Sequence, residues 1–179
     1  MLGIYKFFFN QMHDEGINYC SWKNNHTLGR ALSGDSDVDL LVSSTQFKKF
    51  EKIAFENGFI RVKSSISEYP FVQHYYCYDE RSNKFGHLHV YYKLVTGDSH
   101  LKNYRLPIEG KVLNASYVSD FGIREAHPSH QADIYMLSKY IKSSSLLGLF
   151  LLFRESEDYK SEFNYIKGRI VELGVKSIP

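Results

Sequence analysis

The sequence predicts an α+β fold, in which a small mixed β-sheet is flanked by helices and followed by further helices at the C-terminal end. Two observations lead to this prediction. Apolar residues recur at helical spacing near the N-terminus, change to the period of strands from residue 59 onward, and return to helical spacing after Pro128. An apolar strand with acidic residues at its start also lies between the first two predicted helices, so the elements are mixed rather than regularly alternating.

The N-terminal elements follow from apolar spacing and from the residues that end each pattern. A helix is predicted over 3–15, followed by a short strand over 18–23 and a polar loop. A second strand covers 37–42. Ser44 is then expected to cap the next helix, which ends at Gly58 because glycine readily adopts the conformation that closes a helix.

The middle of the chain reads as strands. Candidate strands cover 59–65, 70–78 and 85–95, and the polar residues 79–83 are expected to form the turn of an antiparallel hairpin. Residues 96–126 are less regular, with short strands expected in their second half. This part of the chain supplies most of the predicted sheet.

The C-terminal part is predicted to be helical. A long helix from Ser129 through Phe153 is interrupted near 143–148, and a last helix covers 155–173. The side chains expected to face inward are Ile134, Leu137, Ile141, Phe163, Ile166, Ile170 and Val171. The apolar run 146–153 is far shorter than the roughly 20 residues that a membrane-spanning helix needs, so no membrane span is expected.

Domain organisation and location follow from the same features. We interpret residues 1–126 as one α+β domain and 127–179 as a helical region packed on it, and the abrupt end suggests the N-terminal part of a longer protein. A formal net charge of +2 provides no electrostatic footprint for long nucleic acids. Cys20 and Cys77 form no CxxC pair, and no targeting segment is evident, so two buried thiols in the cytoplasm are expected.

The segment Gly34–Val42, GDSDVDLLV, carries the strongest chemical signal. Asp37 and Asp39 are two residues apart in a strand, so their side chains point to the same face. Two adjacent carboxylates repel each other unless a cation lies between them, and a divalent ion with oxygen ligands is the usual solution. A turn would explain Asp35, but it does not explain an acidic residue within the strand.

A calcium-binding loop is the main alternative for the acidic run, and the spacing excludes it. Counting from Asp35, the sixth position is Leu40 where glycine is needed, and the twelfth is Gln46 where a bidentate glutamate belongs. The pair Asp37 and Asp39 therefore remains the candidate metal site.

Over roughly residues 18–95 the chain resembles the nucleotidyltransferase superfamily, the fold of polymerase-beta-like and aminoglycoside-modifying enzymes. The resemblance rests on the strand Tyr19–Lys23, the loop containing Gly34, and Ser36-Asp37-Val38-Asp39 at the start of the second strand. It implies that Asp37 and Asp39 bind one or two Mg²⁺ ions and a nucleoside triphosphate such as ATP. A third carboxylate on a later strand would then help to activate the attacking hydroxyl.

The chain departs from the family pattern in two places. The family has a Gly-Ser or Gly-Gly pair after the first strand to hold phosphate, and here the nearest candidates are Ser21 and Ser33-Gly34. The later strand offers His89 where an acid is expected. A neutral histidine can bind a metal or accept a proton, and the alternative is a polar residue on a half-exposed strand.

Basic residues complete the candidate site. Lys23 and Arg30 flank the loop before the acidic strand, where a cation would offset triphosphate charge, and Lys23 is the better candidate. Lys139 lies on a later helix, where family members grip the nucleotide. These residues predict a magnesium-dependent transferase that moves a nucleoside monophosphate from a nucleoside triphosphate to a small-molecule acceptor. The alternative is an inactive binding module of a larger polysaccharide-biosynthesis protein.

Overall fold

The computed structural model describes residues 1–63, 69, 71–96, 104–143 and 156–172, and within these ranges it confirms the predicted α+β class. The helices are α1 (Gly3–Asp14), α2 (Leu28–Leu32), α3 (Phe47–Glu56), α4 (Glu109–Asn114), α5 (Pro128–Ser143) and α6 (Ser156–Glu172). The strands are β1 (Tyr19–Ser21), β2 (Val38–Val42), β3 (Ile60–Val62), β4 (Val72–Asp79), β5 (Lys84–Tyr91), β6 (Leu94–Thr96), β7 (Tyr104–Leu106), β8 (Tyr117–Val118) and β9 (Arg124–Glu125).

Seven of these strands form one mixed sheet in the order β3-β4-β5-β2-β1-β9-β8, and β6 and β7 form a separate hairpin. Strand β2 lies near the centre, antiparallel to β1 and parallel to β5. In the β2–β5 register Asp39 pairs with His89, two residues that are far apart in sequence. The sheet therefore brings the acidic motif and the histidine-bearing strand side by side.

One face of the sheet is covered by an aromatic core. Helix α1 buries Tyr5, Phe8, Phe9 and Met12, and α3 contributes Phe50, Ile53 and Ala54 to the same cluster. Side chains alternate along β2, so Val38, Leu40 and Val42 join this core, whereas Leu41 packs on the opposite face. Asp39 points to that second face, where a smaller apolar cluster includes Trp22, Tyr91 and Ile134.

Most N-terminal and central elements confirm the predictions, including α1, the first two strands, and the β4–β5 hairpin. Ser44 was expected to cap α3, and this is wrong, because Ser44–Gln46 form a 3₁₀ turn and α3 begins at Phe47 without a side-chain cap. Two short helices, α2 and α4, lie in stretches predicted to be irregular. They bury Leu28, Ala31, Leu32, Val112 and Leu113, but they are too short to display a helical period.

The C-terminal helices form as predicted where they are described, but some of their side chains face solvent. Leu137, Phe163 and Val171 are 42%, 47% and 74% exposed, so their inward prediction is wrong, whereas Ile134 and Ile166 are buried. Fewer side chains of α5 and α6 are buried than the apolar spacing predicts, because the two helices pack partly against each other and partly over a polar cavity.

Parts of five predictions lie outside the described residues: residues 64, 65 and 70 of two predicted strands, 97–103 of the less regular stretch, 144–153 of the long helix with most of its predicted interruption, and 155 and 173 of the last helix. Within the part of the chain that the structure does describe, no helix combines the length and apolarity needed to cross a membrane.

Candidate functional site

A cavity of about 500 Å³ lies between the second face of the sheet and helices α5 and α6. Its sheet-side wall includes Trp22, Lys23, Asn24, His26, Asp37, Asp39, His89 and Tyr91. Its helix-side wall includes Gln131, Ile134, Tyr135, Ser138, Lys139, Lys142, Asp158, Tyr159 and Glu162. The volume falls in the range of small-molecule sites, and charged groups of both signs line it.

The two predicted carboxylates and the predicted histidine meet at this cavity. Asp39 is buried, with 3% of its surface exposed, and Asp37 just before β2 is partly exposed. His89 Nδ1 lies 3.2 Å from Asp39 Oδ1 and 3.4 Å from Asp37 Oδ2. The parallel register of β2 and β5 explains this arrangement, because it sets Asp39 directly opposite His89. The three side chains form one compact cluster.

Asp39 is held by groups from the end of β1 and the turn after it. Asn24 Nδ2 donates a hydrogen bond of 2.8 Å to Asp39 Oδ2, and Lys23 Nζ lies 3.1 Å from Asp39 Oδ1. Lys23 also donates to the hydroxyl of Tyr91 over 2.9 Å. Asn24 has a positive φ of 56°, a left-handed conformation that asparagine tolerates better than most residues. This turn aims an amide and an ammonium at the same carboxylate.

Three side chains on the sheet-side wall of the cavity have shifted pKa values, and these shifts set the charge of each side chain at neutral pH. The hydrogen bond from His89 holds the pKa of the Asp37 carboxyl well below its usual range, and it outweighs the opposing effect of burial. Burial alone would lower the pKa of Lys23, but the neighbouring Asp39 and Tyr91 outweigh it, so this pKa is raised. Burial raises the pKa of Tyr91 to about 12. At neutral pH the site thus combines an ionised Asp37, a charged Lys23 and a neutral phenol.

The cluster meets the requirements of a divalent metal ion. One ligand atom from each of Asp37, Asp39 and His89 lies within 4.8 Å of the others. Adjacent ligands of a six-coordinate ion with bonds of about 2.1 Å lie about 3 Å apart, close to the two separations of His89 Nδ1 from the carboxylates. Among the described residues, the nearest polar neighbours of the buried Asp39 Oδ1 are the ammonium of Lys23 at 3.1 Å and His89 Nδ1 at 3.2 Å. The side chains present therefore fit a bound cation.

A row of imidazoles surrounds His89 on the sheet. The rings of His74 and His89 stack with centroids 4.3 Å apart, and His74 Nδ1 lies 3.0 Å from His87 Nε2. Burial lowers the pKa of His87. His74 was not predicted as a site residue, although the alternation of β4 and β5 places all three histidines on one face. These stacked rings restrict the orientation of the His89 side chain.

The helix-side wall carries the predicted Lys139, but its ammonium is engaged by aromatic rings. Lys139 Nζ lies 2.7 Å from the ring centroid of Tyr159 and 4.8 Å from that of Tyr135. Two acids on α6, Asp158 and Glu162, also line the cavity, and Glu162 Oε1 accepts a hydrogen bond of 3.4 Å from the backbone N–H of Asn24. No pattern in the sequence predicted Asn24 and Glu162 as site residues, because only the packing of α6 over the turn after β1 brings them to the site.

Ser33 and Gly34, predicted as nucleotide-binding residues, do not line this cavity. Ser33 Oγ donates to the backbone carbonyl of Arg30 and to Asp35. Gly34 has a φ of +82°, and a Cβ at this position would lie 2.9 Å from the carbonyl oxygen of Phe85, so glycine is required by the close approach of two backbone segments. The structure assigns this pair a role in the turn that precedes β2.

Asp35 lies in the same turn and forms an exposed ion pair of 2.6 Å with Lys84, consistent with the interpretation of this aspartate as a loop residue. Asp35 does not line the cavity that contains Asp37 and Asp39. Asp35 is therefore an internal control for the two acids of the cluster.

Comparison with known proteins provides no assignment for this chain: no family model, no curated protein and no solved structure matches it. A fold class hosts many unrelated activities, so function has to be argued from the geometry and chemistry of the site.

Proposed function

We propose that this protein is a divalent-metal-dependent nucleotidyltransferase that moves a nucleoside monophosphate from a nucleoside triphosphate to a small-molecule acceptor. One observation carries the proposal: Asp37 and Asp39 converge with His89 at the wall of a cavity of small-molecule size. A carboxylate pair beside a cavity with cationic side chains suits metal-assisted phosphoryl chemistry, in which positioning and charge neutralisation dominate.

In this proposal Asp37 and Asp39 hold Mg²⁺ or a similar ion, which supplies charge neutralisation for the triphosphate when bound. Asn24 donates to Asp39 and so orients it, and Lys23, which lines the same cavity 3.1 Å from Asp39, would offer its ammonium to a phosphate oxygen. The acceptor oxygen would attack the α-phosphorus, the bond from that phosphorus to the bridging oxygen would break, and pyrophosphate would leave. The acceptor proton would pass to a carboxylate oxygen of the cluster that does not hold the ion.

The class of acceptor follows from size and charge. A cavity of about 500 Å³ accommodates a small molecule, and a net charge of +2 provides no extended basic surface for a nucleic-acid strand. Both cysteines are buried free thiols, which is the usual state in a reducing cytoplasm, and we expect the protein to act there.

The alternative function, a binding module without catalysis, is favoured by a different observation. Lys23 already pairs with Asp39 at 3.1 Å, so the site has a cation of its own before any metal arrives. A third acid on the strand that carries His89 is also missing, since a histidine occupies the position opposite Asp39. In this alternative the polar cavity would bind a ligand as part of a larger polysaccharide-biosynthesis protein.

Thermal unfolding with metal and nucleotide separates these possibilities. We expect Mg²⁺ with a nucleoside triphosphate to raise the melting temperature of the wild type, because a ligand at 100 times its Kd stabilises the folded state by about 2.7 kcal/mol. Asp37→Asn and Asp39→Asn should lose this gain, and Asp35→Asn should keep it as a matched control. An equal shift in all four proteins would refute the site.

Pyrophosphate release then tests catalysis. The wild type is incubated with each nucleoside triphosphate and a panel of sugars, sugar phosphates and aminoglycosides, with Asp39→Asn as the negative control. Acceptor-dependent release would support the transferase. Metal-dependent stabilisation without release for any acceptor would favour the binding module instead.

A further inference from the structure

We propose that the cluster prefers a transition-metal divalent ion, with Mn²⁺ bound more tightly than Mg²⁺ by a wider margin than an all-oxygen site would give. This inference rests on the proposed metal site and specifies its selectivity. It follows from His89, which contributes a nitrogen donor to a set in which the other two donors are carboxylates.

The position of the nitrogen is set by the fold. His89 faces both acids with the same ring atom, Nδ1, at 3.2 Å and 3.4 Å. The ring of His74 stacks on it with centroids 4.3 Å apart, and the ring of Tyr91 lies against it at a tilt of 45°, with centroids 4.5 Å apart. These two contacts restrict rotation of the imidazole, so an ion that binds the two carboxylates also meets Nδ1.

Ligand chemistry then decides between metals. Mg²⁺ prefers oxygen ligands, whereas imidazole favours first-row transition metals, and Mn²⁺ accepts both carboxylate and imidazole. Asp39 Oδ1 is buried and lies 3.1 Å from the ammonium of Lys23, which an incoming ion would displace from this oxygen. The imidazole has to present a lone pair, which requires the proton on Nδ1 to move to Nε2.

Metal binding can be measured without any knowledge of the acceptor. Protein stripped with a chelator is titrated with Mn²⁺ and followed by the electron paramagnetic resonance signal of the free ion, and Mg²⁺ affinity is obtained by competition. The variants are His89→Asp, which gives the site three carboxylate ligands, and His26→Asn, which removes a histidine that lines the cavity outside the cluster. Circular dichroism and melting temperature confirm that each variant is folded.

We expect the ratio of the Mg²⁺ Kd to the Mn²⁺ Kd to fall at least tenfold in His89→Asp and to stay at the wild-type value in His26→Asn. An unchanged ratio in folded His89→Asp overturns the inference and leaves the metal site intact. Wild-type protein that binds Mg²⁺ as tightly as Mn²⁺ also overturns it, while the proposed function survives. If neither ion binds, both proposals fail.

A spectroscopic measurement on the wild type covers the case in which His89→Asp does not fold. Pulsed electron paramagnetic resonance detects the hyperfine coupling of ¹⁴N bonded directly to Mn²⁺. We expect this coupling in the wild type and in His26→Asn. Bound Mn²⁺ without it would show a site made of oxygen ligands only and would overturn the inference.

Discussion

The two faces of the central sheet differ in how they are built, although the same strands form both. The face under α1 and α3 is a continuous aromatic and aliphatic core, in which Phe8 contacts the rings of Phe9, Phe50 and Phe59 at centroid distances of 4.8–5.8 Å. The opposite face places acids, a lysine and imidazoles around a cavity. Alternation along β2 separates the two, so one strand contributes both to stability and to the candidate site.

Because the two faces differ in this way, we expect that stability and function can be altered separately in this chain. Apolar burial on the core face provides the free energy of folding, whereas burial of charge on the cavity face costs free energy unless partners compensate it. Substitutions on the first face should change unfolding with little effect on binding. Substitutions on the second should act through charge.

The largest effect is expected on the core face. Phe8→Ala should lower the free energy of unfolding by about 3–5 kcal/mol, because it removes a fully buried ring and leaves a cavity. Denaturant unfolding measures this change. Phe7→Ala is the matched control on the same helix, since Phe7 is 65% exposed and should change stability by less than about 0.5 kcal/mol. Similar losses in both variants would contradict the assignment of the two helix faces.

The second effect tests charge compensation on the cavity face. In a chelator, Lys23→Met should lower the free energy of unfolding by about 1–3 kcal/mol, because Asp39 loses its cation. Adding Mn²⁺ should recover part of this loss. Lys84→Met removes a cation from the exposed pair with Asp35 and should cost at most about 1 kcal/mol, with no response to metal. If the two variants behave alike, Lys23 is not the counter-ion of the site.

The smallest effect concerns pH. Burial lowers the pKa of His87 from its ordinary value of 6.5, so below that pH the unfolded chain takes up a proton that the folded protein resists. Stability should therefore fall as the pH drops from 7 to 5. His87→Gln should weaken this dependence without removing it, because the pKa of His13 is lowered in the same way, also by burial. Melting temperature measured against pH tests this, and a steeper decline in the variant would exclude a buried neutral His87.

Local patterns were sufficient for those parts of the site that lie within one strand. The two-residue spacing of Asp37 and Asp39 predicted their common face, and the same period singled out His89. What the sequence could not provide was the register of β2 against β5, which depends on tertiary packing. The fold class was predictable because its long helices and hairpin have clear periods.

Residues that reach the site from a distance could not be predicted. Asn24 and Glu162 are separated by 138 positions and meet only because α6 packs over the turn after β1. Proximity in sequence was misleading for Ser33 and Gly34, which precede the acidic strand but lie outside the cavity, because the turn brings Gly34 against Phe85 and Ser33 against Lys84. The helical spacing predicted that Phe163 faces inward, but its side chain is exposed, and α6 packs through a narrower set of residues that includes Ile166.

The pairing of Lys23 with Asp39 bears on whether the chain folds before or after an ion binds. With an ammonium in place beside the buried carboxylate, the chain can complete folding without waiting for an ion. Loading would then be an exchange, in which an incoming cation displaces the lysine from Asp39 and frees it for an anionic ligand. If the proposed metal site is correct, such a placeholder would keep the metal-free form folded and would let metal occupancy follow the supply of metal in the surroundings.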